Sequence, residues 1–300
     1  MKVVFDMDPG IDDAITLLMA LNSSELHILG ILTVSGNVDL NKTTYNALRI
    51  LDAVGEKITV AKGASRPLFK PPIHSEYIHG SDGLGNSDLK TKRASTEYAQ
   101  KFLRDILITH KKKEVSILAT GPLTNIALLI YKEPSLANRL DKIVLMGGVY
   151  GMTKNVRGNV SPYAEFNMYC DPEAADIVFN SGIKIDAVGL DVTMGPECAI
   201  DKLALDSIKE LKDESAMIAS RLLSYAVSRH KIFHLHDVCA LARFLRPGMF
   251  DTISTRVKVD KYGKFRGRCV VTLQKGNVNV CSSVNSSMFS KFFMNGLRRS

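Results

Sequence analysis

Short apolar runs alternate with amphipathic stretches over the first two thirds of this chain. The runs are rich in Val, Ile and Leu, which is typical of strands buried on both faces. The predicted strands cover residues 3–5, 28–34, 58–61, 115–119, 143–146 and 185–190. The predicted helices cover residues 12–21, 40–54, 96–110, 123–131 and 172–180. Because parallel strands need a crossover connection, the alternation predicts an α/β fold with a mostly parallel central sheet flanked by helices.

Local signals predict where two of these helices begin. Ser95 comes directly before the helix predicted over 96–110, and its hydroxyl is a suitable N-cap. Asp171 and Pro172 suit the N-cap and first position of the helix that follows them.

The last third of the chain mixes predicted helices with short predicted strands. The helices cover residues 200–211, 215–229 and 238–245, and the strands cover 256–259 and 269–273. We find no internal repeat, low-complexity segment or clear boundary between this region and the rest. With 300 residues, of which 45% are hydrophobic, the chain can bury a large core. We therefore predict a single domain over residues 1–300.

The stretch DMDPGIDDA, residues 6–14, places four carboxylates where the first strand ends and the first helix begins. Asp6 and Asp8 alternate along the strand end, so both side chains should point to the same side. Asp12 and Asp13 fall in the first turn of the helix, where its dipole favours negative charge. Four carboxylates beside apolar segments repel one another, and their oxygens suit Ca²⁺ or Mg²⁺. Helix capping with surface carboxylates is the structural alternative.

A second alternative for this stretch is an aspartyl phosphatase, in which a strand ends in Asp-x-Asp followed by Gly-Thr. Here Pro9 and Gly10 follow Asp8, and the Gly-Thr pair is absent. In a parallel sheet, ligands bind where loops leave the carboxyl ends of the strands. Two connections, 66–93 and 148–162, are longer than packing requires, which is typical of functional loops.

Together with six segments further along the chain, this stretch resembles the signature of the inosine-uridine preferring nucleoside hydrolase family. The six segments follow in the family's order: TVSGN (33–37), HGSDGLGN (79–86), TGPLTNIA (120–127), VLMGG (144–148), AEFNMYCDPEAA (164–175) and HD (236–237). The resemblance implies a Rossmann-like nucleoside hydrolase fold. It also implies an enzyme that hydrolyses the N-glycosidic bond of a ribonucleoside to ribose and a free base.

The resemblance further implies one Ca²⁺ ion per subunit and assembly as a homodimer or homotetramer. Matching positions makes Asp8, Asp13 and Asp237 the carboxylate ligands of the ion. The backbone carbonyl of Thr120 would complete the protein ligands. Asp8 would also be the general base that activates a calcium-bound water, and Asp6 would orient the other carboxylates from behind.

Matching positions also implies the residues that surround the substrate. The ribose-binding set is Asp12, Asn37, Asn159, Glu165 and Asn167. His236 would protonate or contact the departing base, since His titrates in a useful range. The remaining base-side candidates are His79, Tyr225, His230 and Phe233.

The absence of Trp is the basis for predicting which nucleobase the enzyme prefers. Purine-specific members stack the base between tryptophans, and the chain has no Trp. We therefore predict a preference for the pyrimidine nucleosides uridine and cytidine. A broad inosine-uridine hydrolase, a purine hydrolase and a non-catalytic nucleoside-binding or ribose-binding protein are the alternatives.

Composition bears on partners and location. The formal charge is +8, but Lys and Arg are scattered, so we predict no nucleic-acid partner. Five widely spaced cysteines without a Cys-x-x-Cys pair indicate buried thiols rather than a zinc site or disulfide framework. The first predicted strand begins within the first three residues, and no run of about eighteen apolar residues occurs. We therefore expect a cytoplasmic protein with no membrane partner.

Overall fold

A computed structural model describes residues 1–298, and within them nine strands form one central sheet. The strands are β1 (Lys2–Met7), β2 (His27–Thr33), β3 (Val60–Lys62), β4 (Glu97–Tyr98), β5 (Val115–Ala119), β6 (Lys142–Met146), β7 (Lys184–Val188), β8 (Ala199–Ile200), β9 (Phe233–His234), β10 (Phe250–Thr255), β11 (Val257–Val259), β12 (Cys269–Val271) and β13 (Val278–Val284). The sheet order is β10-β13-β7-β6-β5-β1-β2-β3-β4, while β8 with β9 and β11 with β12 form small ribbons. Neighbours in the large sheet are parallel except β10 with β13, which confirms the predicted sheet.

Helices cover both faces of the sheet, as predicted. In the described range they are α1 (Ile11–Leu21), α2 (Leu40–Ala53), α3 (Glu76–His79), α4 (Ala99–Thr109), α5 (Thr124–Lys132), α6 (Pro134–Ala137), α7 (Phe166–Cys170), α8 (Pro172–Phe179), α9 (Leu190–Thr193), α10 (Lys202–Lys209), α11 (Glu214–His230), α12 (His236–Leu245) and α13 (Ser286–Gly296). Each predicted helix is present, and its ends differ from the predicted ends by at most three residues.

Side-chain alternation along the buried strands supplies two hydrophobic cores, one on each face. In β1, Val3, Phe5 and Met7 join the core formed with α1, α2, α11, α12 and α13. Val4 points the other way, into the core formed with α4, α5 and α8. Burying each side chain of this size stabilises the fold by about 1.5 to 3 kcal/mol. Both faces of the strands are therefore apolar, as their sequences indicate.

The order of the strands defines where a ligand can bind. From β1 the chain builds outward through β2, β3 and β4, and then returns to place β5 on the opposite side of β1. This reversal is a topological switch point, where a crevice opens at the carboxyl ends of the strands. Asp8 follows β1 and Thr120 follows β5, so both residues lie at the mouth of that crevice.

The predicted start of the helix over 96–110 is wrong. Glu97–Tyr98 pairs with β3 as an edge strand, so α4 begins only at Ala99. The Ser95 hydroxyl donates to the Val60 carbonyl oxygen at 2.6 Å instead of capping the helix. Pairing of two extended residues with the sheet has overridden the local capping signal. By contrast, Asp171 is the N-cap of α8, as predicted, and accepts from the Ala174 backbone N–H.

Two further expectations concern the whole chain. All five cysteines are buried free thiols in the described structure, as predicted. A search of residues 1–298 finds no helix that is both long enough and apolar enough to cross a membrane.

Candidate active site

Asp8 lies directly after β1 and is tightly enclosed. Its Oδ2 atom accepts a hydrogen bond from the Asn37 backbone N–H at 2.7 Å. A Cβ atom at Gly36 would lie 2.0 Å from the same oxygen, so the loop after β2 needs glycine to pass this close. The Oδ1 atom is buried and has no hydrogen-bond partner within residues 1–298. Asp8 therefore presents one bonded oxygen and one free oxygen.

Asp12 and Asp13 differ in how their carboxylates are held at the start of α1. Both Asp13 oxygens are bonded: Oδ2 accepts from the Gly10 backbone N–H at 3.0 Å, and Oδ1 accepts from the Thr120 hydroxyl at 2.7 Å. Asp12 Oδ2 accepts from the Asp237 backbone N–H at 2.9 Å. Asp12 Oδ1 is buried without a partner in the part of the chain that is described. These bonds bring distant sequence segments together around one carboxylate cluster, which is Asp8, Asp12, Asp13 and Asp237.

Asp6 lies behind this carboxylate cluster. Its Oδ1 atom accepts from the Asn125 side-chain amide at 2.7 Å. Burial raises the pKa of Asp6 to about 7, and the hydrogen bond from Asn125 partly opposes that rise. The same amide group donates to the Thr33 carbonyl oxygen at 3.1 Å, and Asn125 Oδ1 accepts from the Ala64 backbone N–H at 2.8 Å. Asn125 thus joins the ends of β1 and β2 to the loop after β3.

Replacing Asn125 with Ala should lower the free energy of unfolding by about 2 to 3 kcal/mol, because buried polar partners lose their hydrogen bonds. Urea unfolding followed by circular dichroism would measure the change. Asn138→Ala is the matched control, since Asn138 is exposed on the surface and should shift stability by about 0.5 kcal/mol or less. Equal unfolding free energies for the two variants would contradict the bridging role of Asn125.

Burial and mutual repulsion dominate the electrostatics of the carboxylate cluster. Removal from water raises the pKa of Asp8 well above its usual value, and the charge of Asp13 raises it further. The pKa of Asp237 is raised well above its usual value by burial first and then by Asp12, Asp13 and Asp8. Like charges this close are unfavourable unless protons or a cation neutralise them. The carboxylate cluster is therefore a site of strong attraction for cations.

The donor chemistry fits a hard divalent cation. The available atoms are oxygens, and among residues 1–298 the Oδ1 atoms of Asp8 and Asp12 have no hydrogen-bond partner. In residues 1–298, however, no group of three or more His, Cys, Asp or Glu side chains is arranged to hold a metal ion by itself. A cation here would need further oxygen atoms, such as the carbonyl of Thr120, a water molecule or substrate hydroxyls.

A polar wall beside the carboxylate cluster is formed by Glu165 and Asn167. The Asn167 side-chain amide donates to the Thr120 carbonyl oxygen at 2.7 Å and to the Met146 carbonyl oxygen at 3.2 Å. Glu165 is the N-cap of α7 and accepts from the backbone N–H groups of Asn167 and Gly148, at 2.8 and 2.9 Å. These bonds fix both side chains in one orientation. The Thr120 carbonyl keeps a second lone pair for another ligand.

A cavity of about 330 Å³ collects most of the residues that the sequence singles out. Eleven of them line it: Asp12, Asn37, His79, Thr120, Asn159, Glu165, Asn167, His230, Phe233, His236 and Asp237. By contrast, Asp6, Asp8, Asp13 and Tyr225 are not among its described lining residues. Tyr225 is half-buried on α11, and the Arg229 guanidinium lies 5.4 Å from the centre of its ring.

Imidazole groups give this cavity a second chemical character. Burial lowers the pKa of both His79 and His236 to about 3, so both rings are neutral near pH 7. His79 Nδ1 accepts from the Ile11 backbone N–H at 3.1 Å. A neutral ring that accepts at Nδ1 carries its proton on Nε2, so His79 is a hydrogen-bond donor at that atom. His236 Nδ1 lies 2.7 Å from the Thr193 hydroxyl oxygen.

Sequence reasoning missed six residues of the cavity lining, which are Ser75, Tyr77, Ile78, Val160, Ile232 and His234. The His234 ring stacks on His236, with the ring centres 5.8 Å apart. Proximity in the sequence could have indicated two of them, because His234 and Ile232 lie within four residues of His236. They reach the cavity because β9 pairs with β8. These two strands are too short to be predicted from an apolar run.

One segment, residues 261–268, interleaves basic and aromatic residues more densely than the rest of the chain. Its cations contact the chain's own side chains. Lys261 pairs with Asp176 at 2.7 Å, and Arg268 pairs with Asp260 at 2.6 Å. Arg268 also lies over the Phe265 ring. The contacts observed for this segment are thus internal, and the absence of a nucleic-acid partner stays a prediction.

Comparison with known proteins identifies the family to which this site belongs. The family model described as inosine-uridine preferring nucleoside hydrolase matches residues 3–291. This chain belongs to that family. The resemblance inferred from the sequence segments is therefore confirmed, and the chain is an enzyme, a ribonucleoside N-glycosidase.

Individual nucleoside hydrolases similar to this one carry different base preferences in their names. The chain is 36% identical to the pyrimidine-specific ribonucleoside hydrolase RihA of Citrobacter koseri, over 96% of this chain and 95% of that protein. It is 37% identical to the non-specific ribonucleoside hydrolase RihC of Salmonella paratyphi B, over 91% and 88%. Its structure is similar to that of a purine-preferring ribonucleoside hydrolase from Gardnerella vaginalis, with a TM-score of 0.91, 29% identity and coverage of 99% and 98%. The shared fold thus accommodates more than one base.

Proposed function

We propose that this nucleoside hydrolase cleaves pyrimidine ribonucleosides, with Asp8 as the general base and Ca²⁺ in the carboxylate cluster. The observation that supports this proposal most directly is the cavity. It brings buried carboxylates and amides together with imidazoles and the Phe233 ring. Carboxylates and amides suit ribose hydroxyls, whereas imidazoles and an aromatic ring suit a nucleobase.

The proposed calcium ligands are Asp8, Asp13, Asp237 and the carbonyl oxygen of Thr120. The nucleoside hydrolase family is generally metal-dependent, and the unsatisfied Asp8 Oδ1 atom supports an ion here. When bound, Ca²⁺ would orient the ribose hydroxyls and lower the pKa of a water molecule. The positive charge of the ion would then offset the repulsion between the buried carboxylates.

Asp8 is suited to receive the proton of the attacking water. Its Oδ1 atom has a free lone pair, while its Oδ2 atom is held by the Asn37 N–H. Cleavage of the glycosidic bond builds positive charge on the ribose ring. Buried carboxylates stabilise that charge more than they stabilise the neutral substrate, which is the requirement for catalysis.

The proposed ribose contacts come from both sides of the carboxylate cluster. Asp12 has an unbonded oxygen that can accept from a ribose hydroxyl. Asn37, Glu165 and Asn167 are buried in the wall of the cavity, where their hydrogen bonds fix their orientation. Asn159 reaches the cavity from the long loop after β6 and is exposed.

The departing base is proposed to lie against His79 and His236. The Nε2–H of His79 can donate to an oxygen or nitrogen atom of the base as negative charge develops on it. Phe233 packs edge-on against His79, with ring centres 6.5 Å apart. An aromatic side chain beside two imidazoles suits a single-ring base without tryptophan stacking.

Uridine and cytidine should be hydrolysed with a kcat/KM about tenfold or more above that of inosine and guanosine. A tenfold ratio corresponds to about 1.4 kcal/mol, within the range of one base-aromatic stacking contact. Steady-state assays of the four nucleosides in Ca²⁺ would measure it. Equal values would leave nucleoside hydrolysis intact but contradict the pyrimidine preference, and no hydrolysis of any nucleoside would contradict the whole proposal. The homodimer or homotetramer stays a prediction, which sedimentation of the 33.0 kDa chain would test.

A further inference from the structure

The short helix α9, with the sequence LDVT, lies between two walls of the cavity. It follows β7 directly, and all four of its residues are buried. Asp191 and Thr193 are both absent from the described lining of the cavity. Each of them nevertheless bonds to a part of the chain that reaches the lining. Asp191 bonds to the loop after β6, on the proposed ribose side, and Thr193 bonds to His236, on the proposed base side.

Asp191 holds the loop that follows β6. Its Oδ2 atom accepts from the Tyr150 backbone N–H at 2.6 Å, and its Oδ1 atom accepts from the Met152 and Thr153 N–H groups at 2.6 and 3.2 Å. The Thr153 hydroxyl donates to the Asp191 carbonyl oxygen at 2.9 Å. A single buried carboxylate thus satisfies three backbone donors that would otherwise lack partners.

The same loop carries a ribose-side residue into the cavity. Leu190 N–H donates to the Gly148 carbonyl oxygen at 2.9 Å, so the loop begins against α9. A Cβ atom at Gly189 would lie 2.7 Å from that carbonyl oxygen, so the close approach requires glycine. Asn159 and Val160, further along the loop, line the cavity and are exposed. At the far end of the loop, Val160 N–H donates to the Ala164 carbonyl oxygen at 3.3 Å, so the bonds to Asp191 hold the other end, near the start of the loop.

Thr193 makes the equivalent contact on the base side. Its hydroxyl oxygen lies 2.7 Å from His236 Nδ1, and the Thr193 side chain is fully buried. The bond fixes one edge of the imidazole and leaves Nε2 for the cavity. The ring also stacks on His234.

We propose that α9 is a positioning element for both parts of the substrate. Asp191 orders the loop that bears Asn159 on the ribose side, and Thr193 orients the His236 imidazole on the base side. This inference rests on the proposed function for the identity of the two sides. It adds two residues that act through others and touch no substrate themselves.

The Thr193 contact can be tested by removing the hydroxyl without changing its shape. Thr193→Val should lower kcat for uridine about tenfold, the equivalent of one hydrogen bond, and leave KM nearly unchanged. Thr193→Ser keeps the hydroxyl and should restore kcat to within about threefold of the starting enzyme. Hydrolysis of p-nitrophenyl riboside should be nearly unaffected in both variants, because its leaving group departs without help from an imidazole.

The Asp191 contact has a different expected signature. Asp191→Asn turns one acceptor oxygen into a donor that faces backbone N–H groups, so the loop should loosen. KM should rise about tenfold for uridine and for p-nitrophenyl riboside alike, since both carry the ribose. Trypsin should cut faster after the exposed Lys154 and Arg157 of this loop. Asp201→Asn is the control, because Asp201 is an exposed cap of α10 and is not in the described cavity lining.

Several outcomes would overturn the inference while leaving the proposed function standing. Equal kcat for Thr193→Val and Thr193→Ser on uridine would remove the role of Thr193. A parallel loss on p-nitrophenyl riboside would show a general structural effect instead of one that acts through His236. For Asp191→Asn, an unchanged KM with unchanged trypsin cleavage would remove the loop anchor. If the starting enzyme hydrolyses p-nitrophenyl riboside but no nucleoside, the proposed function fails first.

Discussion

Replacing Asp8 with Asn should lower kcat for uridine by about 10²- to 10⁴-fold, the usual contribution of a general base. The substitution keeps the shape of the side chain and leaves an acceptor for the Asn37 N–H, so the fold should be retained. What it removes is the negative oxygen that takes the proton from water. Steady-state and single-turnover assays with the purified variant would measure the loss, and circular dichroism would verify the fold.

Two controls separate the role of Asp8 as a base from its proposed role as a calcium ligand. Calcium titration of Asp8→Asn, followed by calorimetry, shows whether the variant is assayed with the ion bound. Asp206→Asn changes an exposed carboxylate on α10 and should leave kcat unaltered. If Asp8→Asn binds Ca²⁺ and still turns over uridine within about threefold of the starting enzyme, Asp8 is not the base.

Removal of divalent cations should abolish hydrolysis and destabilise the protein. The buried carboxylates repel one another, so the ion should bind the folded state far better than the unfolded chain. At a free Ca²⁺ concentration 100 times the Kd, binding would stabilise the fold by about 2.7 kcal/mol. Activity and thermal unfolding would be measured after chelation and again after Ca²⁺ is restored, with Mg²⁺ in a parallel sample.

The variant Asp237→Asn supplies the matched test for the location of the ion. Asp237 is buried in the carboxylate cluster, and its loss should weaken the calcium-dependent shift in unfolding temperature. Full activity after exhaustive chelation would contradict a catalytic role for a metal. A calcium-dependent shift that survives in Asp237→Asn at the same midpoint would place the ion elsewhere.

The local sequence was sufficient to predict those strands and helices whose hydrophobic pattern matches their position in the fold. The runs that became β1, β5, β6 and β7 are apolar on both faces, and a strand in the middle of a sheet needs that pattern. The helices between the strands are amphipathic, and their ends were predicted to within three residues. The failure at Ser95 and the unpredicted strand β10 have one cause, since β4 and β10 are the two edge strands and edge positions depend on which partner is near and not on hydrophobic period. The strand β13, which pairs with β10 and β7 inside the sheet, was also not predicted.

Sequence reasoning likewise predicted some residues of the site and missed others. Eight of the singled-out residues that line the cavity lie within the family segments, because their chemistry is visible as letters in a fixed order. His234, Ile232 and Tyr77 carry no such signal and were missed. Tyr225 was expected near the base, but its half-buried position on α11 lies outside the described cavity lining.

By itself, the sequence determined the parallel sheet, the family and the crowding of carboxylates between Asp6 and Asp13. These features depend on periodicity and on residue types close together in the chain. Only the tertiary structure decided how those carboxylates divide into roles. Burial leaves Asp8 Oδ1 and Asp12 Oδ1 without hydrogen-bond partners among residues 1–298, while Thr120 and Gly10 bond both oxygens of Asp13. Hydrogen-bond geometry between segments more than one hundred residues apart cannot be read from either segment alone.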